Sequence, residues 1–188
     1  IGNFAEENSG KTRFALSGPG PIGMVPLEAK AMPTIEKDGD AQGIEVVRPK
    51  DPSALWVQHR KVNMIAGKNE DETNQKRQEF YIAHMRKVEE YTYGLLEHEE
   101  IRTICIDKFN TYCTWVELAI NGMNEKFIKV QGQVYKDRKE VKQHIIDFLN
   151  ELSTYSKVVL LNNASKDDYE FLGADKKPAR KTWDGFKF

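Results

Sequence analysis

The stretch Asn8-Ser9-Gly10-Lys11-Thr12 holds residue types that bind phosphate. A glycine lets backbone N–H groups approach phosphate oxygens, a lysine supplies charge, and a threonine hydroxyl serves a magnesium ion. The stretch resembles the end of a phosphate-binding loop. The full pattern has another glycine five positions before Gly10, where this chain has Ala5, and it needs a strand before the loop and a helix after it. The chain begins just upstream, and Gly18-Pro19 interrupts just downstream. On these grounds the sequence reads as a plain turn in a flexible arm.

The other chemistry-bearing residues are scattered. The histidines are His59, His84, His98 and His144, and no pair has the i, i+4 spacing of a helical zinc site. Glu140 and His144 share a helix face and read as a surface pair. His84 falls on an apolar stripe between Tyr81 and Val88, where a hydrogen-bonded interface histidine is expected rather than a catalytic base. Cys105 and Cys113 sit on the most apolar segment, where burial raises a thiol pKa and blocks access. Glu97, Glu99 and Glu100 read as a solvated face. The sequence thus nominates no catalytic residue, no cofactor site and no metal site.

Both ends carry candidate partner contacts. Lys176, Lys177, Arg180 and Lys181 form a basic run that could meet nucleic-acid phosphates. Trp183, Phe186 and Phe188 follow with no local core to enter, and aromatic side chains are effective interface anchors. Pro19, Pro21 and Ile22 are the matching candidates at the other end.

Composition bounds these readings. The chain has 188 residues, a net charge of −1, 30% charged and 39% hydrophobic residues. Mixed charge argues against a protein devoted to coating nucleic acid. No apolar run is long enough to span a membrane as a helix. Cys105 and Cys113, read as eight apart on one helix, would lie roughly 12 Å apart along its axis, too far for a disulfide. Free thiols suggest a reducing compartment.

The elements that must position these residues follow from periodicity. Residues 1–50 read as an extended arm, since Ser17-Gly18-Pro19-Gly20-Pro21-Ile22-Gly23 cannot continue a helix and few large apolar residues stand near. Within it Ile44–Val47 could form a short strand. Residues 51–163 read as a helical core. Asp51-Pro52-Ser53 opens one helix. A second runs from about 72 to 97, with Tyr81, His84, Met85, Val88, Tyr91, Thr92 and Leu95 on one stripe. A third spans Ile101 to Ile120. Residues 127–135 alternate as a half-buried strand, Val141, Ile145, Phe148, Leu149 and Leu152 mark a further helix, and Lys157–Leu161 reads as a short strand. Residues 164–188 form the tail.

The expected fold is therefore predominantly helical α+β, with a small two- or three-stranded β element and extended arms at both ends. The expected function is a non-enzymatic structural or assembly subunit of a large multiprotein complex, with a virus or phage particle favoured, whose arms bind neighbouring subunits. The alternative is an accessory nucleic-acid-binding protein using the basic tail.

Overall fold

Gly2–Ala5 (β1), Ile22–Pro26 (β2), Val46–Val47 (β3), Thr103–Asp107 (β4) and Val158–Ala164 (β7) form one parallel sheet in the order β1-β7-β4-β2-β3. The structure is a computed structural model that describes residues 2–5, 11–57, 59–122, 127–130, 133–136, 138–164, 169–172 and 177–180. Its helices are α1 (Lys11–Ala15), α2 (Ala31–Gln42), α3 (His59–Asn63), α4 (Glu70–Glu97), α5 (Phe109–Asn121) and α6 (Lys139–Ser153). Two antiparallel hairpins stand apart from the main sheet: β5 (Phe127–Val130) with β6 (Gln133–Lys136), and β8 (Tyr169–Leu172) with β9 (Lys177–Arg180).

The mixture of helix and sheet agrees with the sequence reading, but the β element is larger than expected. Every residue of β2 and β4 is buried. A parallel strand covered on both faces reads as a continuous apolar run, without the alternation that marks a half-exposed strand. That is why Ile101–Ile120 looked like one helix. It is a strand and a helix, divided at Lys108, which adopts a left-handed conformation (φ 64°, ψ 49°). Cys105 consequently lies on a strand and Cys113 on a helix.

The extended-arm reading fails for residues 11–50. These residues supply α1, β2, α2 and β3, and β2 pairs with β4 over its whole length. Ile22, Met24 and Val25 are fully buried, each burial stabilising the fold by about 2 kcal/mol. Gly18 is needed for close approach rather than for disorder. A Cβ there would lie 2.9 Å from Thr103 Oγ1, and that hydroxyl donates to the Pro19 carbonyl at 2.7 Å. The glycine-proline turn is thereby fastened onto the start of β4.

The chain crosses from β1 to β2 and β3, then returns to β4 and β7. With right-handed crossovers, helices on the outward and return journeys cover opposite faces. The core divides in this way. Ala15, Leu16, Ala31 and Ile35 pack with Ile22, Met24, Cys105 and Leu160 on one face. Leu95, Phe109, Tyr112, Trp115, Ile145 and Phe148 pack with Val25, Ile104 and Ile106 on the other.

The helices expected near 51, from 72 to 97 and around 141–152 have structural counterparts with altered bounds. The Asp51 side chain does accept from the Ser53 N–H, but it caps only a 3-10 turn, Pro52–Leu55, and α3 follows as a separate short helix. α4 begins at Glu70, capped by Asn69 Oδ1 accepting from the Glu72 N–H at 2.8 Å, and its buried face includes Tyr81, His84, Met85, Val88, Thr92 and Leu95. Val141, Ile145, Phe148 and Leu152 are the buried stripe of α6. The alternating segment at 127–135 forms the two paired strands β5 and β6 rather than one strand, and among the described residues these pair only with each other.

Candidate functional site

A parallel sheet of this kind gathers ligand-binding groups outside the carboxyl ends of its strands, where the crossover direction reverses. Here that reversal lies between β1, whose following helix α1 covers one face, and β4, whose following helix α5 covers the other. The register places Pro26, Asp107 and Asn162 in one row across β2, β4 and β7. Thr12 enters from the first turn of α1.

Asp107 is the centre of the arrangement. It is 4% exposed. Thr12 Oγ1 donates to its Oδ2 at 3.2 Å, and Asn162 Nδ2 donates to its Oδ1 at 3.0 Å. Asn162 is itself wholly buried and also reaches Cys105 Sγ at 3.5 Å. Burial pushes the Asp107 carboxyl above its ordinary range; the Asn162 and Thr12 hydrogen bonds oppose this, Glu28 adds to it and Lys108 counters it. A nearby cation would stabilise the ionised form.

Two further charges rim this carboxylate. Glu28 follows the end of β2, and Lys108 follows Asp107 directly. Lys108 Nζ stands 2.9 Å from Glu28 Oε2, with both side chains partly exposed. Trp56 closes the same edge, its indole N–H donating to the Pro26 carbonyl at 3.1 Å. On the outer side of α1, Arg13 is paired with Asp38 at 2.8 Å and points to α2.

The strand and helix that the phosphate-loop pattern requires are therefore both present. β1 ends at Ala5, residues 6–10 lie outside the described residues, and α1 starts at Lys11. Ala5 stands where the pattern has glycine, in a strand position paired with Ala164, where a Cβ is compatible with the backbone. Lys11 and Thr12 belong to a helix and not to a turn in an arm, while Asn8, Ser9 and Gly10 lie outside the described residues. Thr12 lies in the phosphate-loop-like stretch, which the sequence alone reads as a plain turn and not as a site. Asp107, Asn162, Glu28 and Lys108 were missed, and the usable signal was the apolar run Thr103-Ile104-Cys105-Ile106 ending in an aspartate.

The earlier candidates lie elsewhere. Ile22 is fully buried within the sheet, so its side chain packs inside this chain instead of offering a partner surface. Pro19 is exposed and Pro21 half-buried; their carbonyls accept from Thr103 Oγ1 and from the Arg102 N–H. Lys177 and Arg180 stand at the two ends of β9, opposite Leu172 and Tyr169. Lys176, Lys181, Trp183, Phe186 and Phe188 lie outside the described residues.

His84 packs against Phe80 and Trp115 at ring distances of 5.6 and 5.1 Å, and burial lowers its pKa. It sits in the helical layer as a core residue. Cys105 is completely buried with its thiol pKa raised, and burial pushes the Cys113 thiol up to about 12. Neither is disposed to act as a nucleophile at neutral pH.

Among the described residues there is no group of three or more His, Cys, Asp or Glu side chains able to hold a metal, and no helix long and apolar enough to cross a membrane. Comparison with family models, curated proteins and solved structures finds no match to this chain.

Proposed function

We propose that the chain binds a nucleoside triphosphate together with its divalent cation and hydrolyses the terminal phosphate. The observation that carries this reading is the Thr12–Asp107 hydrogen bond. It joins the hydroxyl that ends the phosphate-loop pattern to a buried carboxylate at the carboxyl end of a parallel strand. Magnesium is held in such sites by one or two hard oxygen ligands of the protein plus the substrate's own phosphates. One carboxylate and one hydroxyl meet that need, and a full protein cage is not required.

The roles follow from position. Thr12 and Asp107 face the cation, and Asn162 keeps the Asp107 carboxylate in place. Lys11, by its place in the motif, is the residue assigned to the phosphates. Glu28 is the carboxylate near enough to Asp107 to raise its pKa, yet partly open to solvent. It is suited to orient an attacking water and accept its proton. The water oxygen forms a bond to the terminal phosphorus, the bridging P–O bond breaks, and the products are nucleoside diphosphate and inorganic phosphate.

The test is a titration of the purified chain with ATP, with and without magnesium. Micromolar binding that depends on the cation, accompanied by phosphate release, is expected. The assembly-subunit reading takes second place, because its premise was an N-terminal arm and residues 11–50 build the core instead.

A further inference from the structure

The Lys108–Glu28 ion pair is unusual in its backbone setting. Lys108 is the one non-glycine residue with positive φ among the described residues. Glycine takes that conformation without strain, whereas a lysine does so only when its surroundings impose it. The strained residue directly follows Asp107, and its side chain reaches across from β4 to the end of β2. There its ammonium sits 2.9 Å from Glu28 Oε2. A lysine on an ordinary extended or helical backbone at this point would leave in a different direction.

We infer that Lys108 is a positioning residue for hydrolysis: it fixes the Glu28 carboxylate at the sheet edge so that its second oxygen can orient the attacking water. This rests on the nucleotide reading above. It assigns to Lys108 a role chiefly in turnover, through its ion pair with Glu28, its effect on Asp107 being the smallest of those acting on that carboxyl. The strained backbone is then retained because the side chain is needed where it is.

The geometry supplies its own control. Lys108→Gly removes the ammonium while suiting the left-handed backbone, so the variant is expected to fold and to melt at or above the temperature of the unaltered chain. Binding of a fluorescent ATP analogue with magnesium should change less than threefold. The turnover number for ATP should fall at least tenfold with KM nearly constant, and Lys108→Arg should recover part of it. Unchanged turnover in a folded Lys108→Gly chain would overturn the inference while leaving the nucleotide site standing. ATP binding without hydrolysis by the unaltered chain would also overturn it. Failure of the unaltered chain to bind ATP would overturn both.

Discussion

Thr12 Oγ1 and Asp107 Oδ2 are 3.2 Å apart although 95 residues separate them in sequence. One belongs to the first helix of the chain and the other to the strand two places from β1 in the sheet. The contact exists because β7 slots between β1 and β4, bringing Asn162 up beside Asp107 to satisfy its other oxygen. A buried carboxylate with both oxygens so held is preorganised, and its burial is the cost that a bound cation would offset.

If Glu28 orients water, Glu28→Gln should leave ATP binding intact and slow phosphate release by about 10²-fold or more. Glutamine keeps the size and loses the ability to accept a proton. A variant that hydrolyses ATP at the original rate would remove Glu28 from the mechanism.

The three helices on one face share a polar contact whose pH dependence is readable. Glu89 on α4 accepts hydrogen bonds from the Tyr112 hydroxyl on α5 and from His144 Nε2 on α6, the latter at 2.8 Å. The Glu89 hydrogen bond raises the His144 pKa against the opposing effect of burial. A folded-state pKa above the unfolded one, which is about 6.5, gives stability that is fully present below that value. It is lost as pH rises through the folded pKa. The melting-temperature gap between the unaltered chain and His144→Gln should be widest near pH 5.5 and shrink at alkaline pH, as followed by circular dichroism. A gap constant across that range would refute the linkage.

Gly18→Ala places a methyl group 2.9 Å from Thr103 Oγ1, on a side chain with no solvent exposure. Overpacking of this kind costs about 1–3 kcal/mol, or several degrees of melting temperature. Thermal denaturation of this variant separates the two views of residues 17–23. A flexible arm would tolerate the alanine, whereas a turn fastened to β4 would not.

Two helices were legible because their stripes recur at three and four residues: α4, read from about 72 to 97, and α6, read from the stripe Val141, Ile145, Phe148 and Leu152. The parallel strands were not, for a physical reason. Ile22–Pro26 and Thr103–Asp107 are each only five residues long and buried on both faces, so they carry no alternation. With β1 and α1 also unread, the phosphate-loop residues lacked the strand-and-helix setting that gives them meaning. Gly18 and Pro19 then read as breakers in an arm, when they mark the turn between α1 and β2. The end of β4 was hidden inside an apparent helix, and Asp107 with it.

Calorimetric titration of magnesium-ATP into the unaltered chain and into Asp107→Asn shows whether the Asp107 carboxylate faces a nucleotide-bound cation. Asparagine preserves the side chain's shape but removes the charge that faces the cation. Saturable, magnesium-dependent binding by the unaltered chain is expected, with at least a tenfold weaker affinity in the variant and the magnesium dependence gone. Equal affinities in the two chains, or no binding by the unaltered one, would contradict this role for Asp107.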